Sequence, residues 1–286
     1  MDAILELKNV NKAFDDFQLR NVSLSLPKGS IVGLIGENGA GKSTIINIIE
    51  GLLKEDSGEI YVFHQNMREH EKELKQDIGI IYDTCHYNEK FKVKDVGKMM
   101  SLVYQNWDQD KYLEYIERFQ LPKQKTLDKF SKGMKMKLCF AAELAHQPKL
   151  LILDEATSGL DPIVRDEILE ILQEFIMDEE HGVLISSHIT SDLDKIADYI
   201  TFIHNGEILL TKTYDEIHND YGIIRCGQKI FEALPKDEIL SYKKEEFEYK
   251  VLVANRQDFE KVYQDVVIDK ATIEDIMLLY VRGVKL

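Results

Sequence analysis

The sequence predicts an α/β protein organised around a phosphate-binding loop, and three observations carry that prediction. The apolar run Ile31-Val32-Gly33-Leu34-Ile35 leads straight into "GENGAGKST" (36–44), apolar residues then recur at helical spacing, and a second apolar run, "LLILDE", ends on two carboxylates. Unbroken apolar runs suit strands buried on both faces, and helices between them imply a parallel sheet.

Each element follows in order along the 286 residues. "AILELKNV" (3–10) and "FQLRNVSLSL" (17–26) read as strands, the second with alternating Val22, Leu24 and Leu26, and "IVGLIG" is the first fully apolar one. After the glycine loop, Ile45, Ile46, Ile48, Ile49, Leu52 and Leu53 repeat at helical spacing, with Gly51 near the helix end. "GEIYVF" (58–63) and "IGIIYD" (78–83) read as strands, and the "REHEKELKQD" between them as a solvated charged stretch. Residues 91–146 carry helical apolar spacing in "VKDVGKMMSLVYQ", "DQDKYLEYIERFQL" and "SKGMKMKLCFAAELAH", punctuated by Pro122 and Pro148, which predicts an all-helical insert. A sheet resumes at "KLLILDE", followed by a helix with Asp161 as N-cap and Pro162 at its first position. Then come "GVLISSH", a short helix at "SDLDKIA", and the strands "DYITFIH" and "EILLTKT". Beyond 213 the pattern loosens into strands at "YGIIRC" and "EYKVLVA", a helix at "RQDFEKVYQ", a solvated strand edge in "SYKKEEFEYK", and a last helix opened by Thr272-Ile273-Glu274-Asp275, which has the form of a capping box. These make a small α+β appendage.

Composition narrows the function. A net charge of -15 repels nucleic-acid phosphates and anionic lipid, so nucleic acid is not an expected partner. No stretch approaches the ~20 consecutive apolar residues of a membrane span, and "MDAILELKNV" lacks the pattern of a secretion signal, so the chain is expected in the cytoplasm. Cys85, Cys139 and Cys226 are scattered and odd in number, which fits plain core residues better than a disulfide framework or a zinc site.

The opening loop fits G-x-x-x-x-G-K-[ST]. In such a loop the backbone N–H groups of Gly36, Asn38, Gly39, Ala40 and Gly41 curl around phosphates, Lys42 neutralises the β/γ oxygens, and Ser43, with Thr44 beside it, supplies a hydroxyl to Mg²⁺. The plain alternative is a flexible turn, but a buried strand before and an apolar-faced helix after aim a helix N-terminus at an anion. "LLILDEATSGLD" supplies the second half of the site. Successive strand side chains point to opposite sides, so Asp154 and Glu155 serve different tasks: Asp154 to hold Mg²⁺, Glu155 to orient or deprotonate the attacking water. The plain reading of the pair is an acidic N-cap after a strand.

With these residues in place, the chain resembles the ATP-binding subunits of ABC transporters, whose further motifs occur in the family's order over residues 3 to about 212. "FSKGM" (130–134) stands where the family has its signature L-S-G-G-Q, "SGLD" (158–161) matches the loop after the catalytic glutamate, "SSH" places His188 at the switch histidine, and Phe14 falls where an aromatic residue stacks on adenine. The resemblance implies a RecA-like core sheet with an antiparallel β subdomain and a helical subdomain at about 84–146, within an ATP-binding domain 1–212, followed by an accessory domain 213–286 for dimerisation or regulation. It implies two ATP molecules sandwiched between head-to-tail copies, with Ser131 and the backbone near Gly133 facing the nucleotide of the other subunit and Asp161 counted among the catalytic residues with Glu155, His188 and Lys42. It also implies ATP and Mg²⁺ as cofactors, a separate transmembrane permease as partner, a homodimer or a heterodimer with another such ATPase, and a place on the inner face of the membrane. Phe91, Val93, Val96, Met99 and Met100 are candidates for a groove that receives a permease helix, although their spacing equally suits core packing.

Two departures stand out: Lys132 and Met134 replace the first glycine and the glutamine of the signature, and Asp83 stands where a glutamine usually follows the strand, as a possible Mg²⁺ ligand. In style the motifs are most similar to ABC-2 type exporters of Gram-positive bacteria, among them bacitracin-resistance, YtrB-like and amphipathic-peptide export systems. The expected function is to energise such an exporter. A nucleotide-gated module with little turnover and a soluble, non-transport ABC ATPase are the alternatives.

Overall fold

The computed structural model describes residues 2–263 and 266–285. Its elements run β1 (Ala3–Ala13), β2 (Gln18–Pro27), β3 (Ser30–Ile35), α1 (Lys42–Ile49), β4 (Ser57–Val62), β5 (Gln65–Asn66), α2 (Met67–Leu74), β6 (Ile78–Tyr82), α3 (Val93–Val103), α4 (Gln109–Arg118) and α5 (Lys132–Ala145). They continue with β7 (Leu150–Asp154), α6 (Pro162–Phe175), β8 (Gly182–Ser187), α7 (Thr190–Ile196), β9 (Tyr199–His204), β10 (Glu207–Thr213), α8 (Tyr214–Asp220), β11 (Gly222–Cys226) and α9 (Gln228–Ala233). The last are β12 (Ile239–Lys244), β13 (Tyr249–Val253), α10 (Arg256–Val262), β14 (Ile268–Lys270) and α11 (Ile273–Arg282).

Three sheets result: an antiparallel β2-β1-β4-β5, a central β10-β9-β3-β8-β7-β6, and an antiparallel β12-β13-β11-β14. In the central sheet β6, β7, β8, β3 and β9 pair in parallel, and only β10 runs antiparallel. Its apolar residues alternate between two cores, as a period of two requires. Ile31, Ile35, Leu151, Leu153, Val183 and Ile185 face the core shared with α3 to α7, whereas Val32, Leu34, Leu150, Ile152 and Leu184 face α1 and the N-terminal sheet. The register lines up Tyr82, Asp154 and Ser186 across β6, β7 and β8, and Ile35 with Ser187 on β3 and β8. The carboxyl ends of four strands therefore open at one edge, where ligands of open α/β sheets bind.

The helical insert forms as the apolar spacing predicts. Val93, Val96 and Met100 are buried, and the Tyr112 hydroxyl donates to the Val93 carbonyl at 2.8 Å, so these candidates for a groove are core residues, with Phe91 and Met99 half-buried against them. The charged stretch 68–77 is largely helical: Asn66 caps α2 by accepting from the Arg68 N–H, and Met67 and Leu74, two turns apart, bury one side of it. The appendage contains α8, α9 and β14 besides the predicted elements, and β12, the edge strand of its sheet, takes up the first residues of the strand edge read in 241–250, while Gln264, the last residue of the predicted helix 256–264, lies outside the described residues. Thr272 caps α11 with Asp275 completing the capping box. Ile273, Ile276 and Leu279 of α11 join the core of the parallel sheet, beside Leu193 and Ile196 of α7. The three cysteines are free, Cys139 and Cys226 buried and Cys85 half-buried. Among the described residues no helix is long and apolar enough to cross a membrane.

Candidate nucleotide-binding and hydrolytic site

The loop after β3 is shaped by backbone clearance. A Cβ on Gly36 would lie 2.4 Å from the carbonyl oxygen of Ile203, and Gly41, at φ +117°, would drive one into Leu19 and Phe17. Only glycine meets both conditions. Gly41 is also the N-cap of α1 and offers no side-chain cap, which leaves the first-turn N–H groups of that helix for an anion. Lys42 is 6% exposed, donates to the carbonyls of Gly36 at 2.8 Å and Glu37 at 3.4 Å, and lies 3.3 Å from Glu155 Oε1. Its ammonium is thereby held over the mouth of the loop.

Ser186, at the end of β8, orders both acids. Its hydroxyl donates to Asp154 Oδ1 at 2.6 Å and accepts from the Glu155 N–H at 3.1 Å. Glu155 takes φ +54°, the left-handed region that a non-glycine residue enters at a free-energy cost and that clusters at functional sites. From there its carboxylate reaches Lys42 through Oε1 and His188 through Oε2, which lies 2.5 Å from the imidazole Nδ1. Behind the acids, the Tyr82 hydroxyl donates to Glu50 Oε1 at 2.5 Å and joins the end of β6 to the end of α1. Burial pushes the Glu50 carboxyl up, with Asp154 and Glu143 adding to the effect and Tyr82 and Lys75 opposing it.

Lys42, Glu155 and His188 border a cleft of about 600 Å³. Of the residues singled out by sequence, Asn38, Gly39, Gly41, Lys42, Ser43, Thr44, Asp83, Glu155 and His188 line it. Gly36, Ala40 and Asp154 shape it from behind: Gly36 and Ala40 are buried, and Asp154 is tied to Ser186. Ser131, Gly133 and Asp161 do not line it. Ser131 caps α5 by accepting from the Met134 N–H, Gly133 is buried where a Cβ would meet Val164 at 3.1 Å, and Asp161 caps α6 by accepting from the Val164 N–H. Lys132 folds back, its ammonium donating to the Ser158 carbonyl at 2.8 Å. Phe14 is exposed and also stays off the lining, whereas Phe17 and Asp16 belong to it, with the two phenyl rings 6.3 Å apart. Sequence reading did not single out Phe17. The available signal was a second aromatic within the same tight turn, which the Phe14 N–H closes on the Phe17 carbonyl at 2.8 Å. A second cleft of about 440 Å³, between α1, β4 and α2, contains none of these residues.

The arrangement suits polyphosphate chemistry: amides and an ammonium converge from one side, and a strained carboxylate paired to an imidazole stands opposite. Comparisons agree with it. The family model for ABC transporters matches residues 19–158. The lantibiotic transport ATP-binding protein SrtF of Streptococcus pyogenes is 37% identical over 219 residues, which cover 76% of this chain and 93% of that protein. The bacitracin transport ATP-binding protein BcrA of Bacillus licheniformis is 32% identical over 226 residues, covering 76% and 72% respectively. A solved ATP-binding subunit of an ABC transporter matches with a TM-score of 0.69 at 27% identity, over 75% of this chain and 92% of that one. Identity and coverage of this extent make the chain a member of the ABC transporter family, an ATP-binding protein whose chemistry is ATP hydrolysis.

Proposed function

We propose that the chain energises a membrane exporter, binding ATP and hydrolysing it between two head-to-tail copies, or between itself and a second ATP-binding chain. In this reading a separate permease crosses the membrane and the chain works on its cytoplasmic face. Residues 1–212 act as the ATP-binding unit, with the helical subdomain at about 84–146, and 213–286 as an accessory unit for dimerisation or regulation. The transport names of SrtF and BcrA support the exporter reading. The observation that carries the catalytic reading is Glu155, held at φ +54° between the Lys42 ammonium and the His188 imidazole.

The roles follow from position. The amides of Gly36 to Gly41 and the Lys42 ammonium bind the β- and γ-phosphates, Phe14 or Phe17 packs on adenine, and Glu155 orients and deprotonates water while His188 holds Glu155 in place. Ser131 and Gly133 stand outside their own cleft, which suits a role toward the nucleotide of a second copy, and Asp161 holds the loop between. Mg²⁺ fits the donors on hand: the Ser43 hydroxyl and the carboxylates of Asp154 and Asp83 are hard oxygen ligands, and Mg²⁺ characteristically uses one or two of these plus substrate phosphates and water. When bound, the ion neutralises charge on the phosphates.

The test is direct. Lys42→Ala is expected to abolish measurable ATP binding in calorimetry, whereas Glu155→Gln keeps binding and loses about 10²- to 10⁴-fold in phosphate release. Unchanged phosphate release in Glu155→Gln would remove Glu155 from the role of base. ATP-dependent dimerisation of Glu155→Gln, followed by sedimentation, tests the head-to-tail assembly.

A further inference from the structure

Two loops leave the cleft, one from Glu155 and one from His188, and an ion pair between a half-buried arginine and a buried aspartate fastens them together. The first runs from Ala156 to Asp161 and enters α6, and the second turns at Ile189 into α7. Arg165, in the first turn of α6, places Nη1 3.8 Å from Asp192 Oδ1 on α7, and its Nη2 donates to the Leu160 carbonyl at 3.2 Å. Thr157, buried in the first loop, also acts on Asp192, favouring its charged form. One carboxylate, four residues beyond His188, thus reaches two points on the segment that follows Glu155.

Stability does not account for this pair. Asp192 is 2% exposed, and a buried ion pair repays its desolvation only with near-ideal geometry and full hydrogen bonding. Here the contact is long, and Arg165 Nε and Asp192 Oδ2 are both buried without a hydrogen-bond partner. Burial holds the Asp192 carboxyl above its ordinary range, with Thr157 and Arg165 opposing the effect. Apolar pairs of the same volume often match or exceed the stability of such ion pairs. What an apolar pair lacks is direction: the guanidinium couples the Leu160 carbonyl on one loop to a carboxylate on the other.

We infer that Arg165 and Asp192 are positioning residues for hydrolysis, a brace that holds the segment after Glu155 against the segment after His188 and so keeps the paired carboxylate and imidazole in place at the cleft. The inference rests on the reading that these two residues act on the attacking water. Neither residue of the brace lines the cleft, so it governs turnover and leaves binding alone. A misplacement of about 1 Å at the reacting centre lowers rate up to about 10²-fold.

The experiment uses the full chain with Asp192→Asn and the double variant Arg165→Met/Asp192→Leu, reading kcat and KM for ATP, the Kd for ATP, and thermal midpoint. Asp192→Asn is expected to lower kcat by about ten- to a hundredfold with Kd and KM within about twofold of wild type. The double variant leaves no unpaired buried charge, so its thermal midpoint is expected at or near the wild-type value while its kcat stays low. Wild-type turnover in the double variant, or a loss of ATP affinity as large as the loss of kcat in Asp192→Asn, overturns the brace. Glu155→Gln in the same assay separates the two readings. If it releases phosphate like wild type, the catalytic reading itself fails; if it is inactive while the double variant turns over normally, the brace alone fails.

Discussion

Phe202 and Ile203 are neighbours on β9, and they hold two regions of the molecule by opposite means. The Ile203 carbonyl closes on Gly36 in the phosphate loop, where no side chain fits. The Phe202 ring meets Tyr280 of α11 edge to face, with centroids 6.2 Å apart, beside the buried Leu279. The loop is defined by where a backbone can go; the helix is defined by apolar area. A region of the first kind tolerates almost no substitution, whereas one of the second kind yields in proportion to the volume removed.

The largest effect is therefore expected at Gly36. Gly36→Ala puts a Cβ 2.4 Å from a backbone oxygen, so strand or loop must shift, and kcat/KM for ATP is expected to fall at least about 100-fold. Gly39→Ala sharpens the comparison, because no atom lies within 4 Å of its Cβ and only its φ of +83° resists. That penalty is about 1–2 kcal/mol, and most ATP binding should survive in a fluorescence titration. Equal losses in the two variants would mean that clearance against Ile203 does not define the loop.

On the other side of the strand, Leu279→Ala is expected to destabilise the protein by about 2–5 kcal/mol in urea unfolding while KM for ATP stays within about twofold. A collapse of ATP affinity in that variant would erase the distinction between the regions.

The same distinction decides what could be read in the sequence. The phosphate loop, "LLILDE" and "SSH" were legible because each imposes residue types with few other uses at strand ends: a glycine where no Cβ fits, an acid behind a buried run, a histidine within reach of it. The lining role of Phe17 was not, because the choice between two aromatics depends on how one turn closes. The brace was invisible as well, since Arg165 and Asp192 are 27 positions apart and meet only through packing of α6 on α7. In the appendage, α8 carries a signal in its sequence: Thr213-Tyr214-Asp215-Glu216 is a capping box, in which Glu216 N–H donates to Thr213 Oγ1 at 3.1 Å and Thr213 N–H to Glu216 Oε2 at 2.9 Å. β14, three residues long, is too short for a period to appear. The charged residues of α2 hid a helix because only Met67 and Leu74 anchor it.

A third way of holding elements together, charge at the surface, should have the smallest effect. Arg118 on α4 makes two 2.6 Å bonds to Glu174 on α6, joining the helical insert to the sheet's helices. The side chains are 41% and 57% exposed, so solvent screening leaves the pair worth well under about 1 kcal/mol. The bonds from Arg118 hold the Glu174 carboxyl below its ordinary range, with burial opposing them. A depressed folded-state value means that the stabilisation is complete above the unfolded carboxyl value of about 4.3 and is lost as pH falls through the lower folded value. Glu174→Gln should thus cost a few tenths of a kcal/mol at pH 7, and the gap to wild type should close as pH drops below about 4 or as salt is raised toward about 1 M. A gap that stays constant with pH and salt would show that the two helices are joined there by packing, as α11 is, and not by charge.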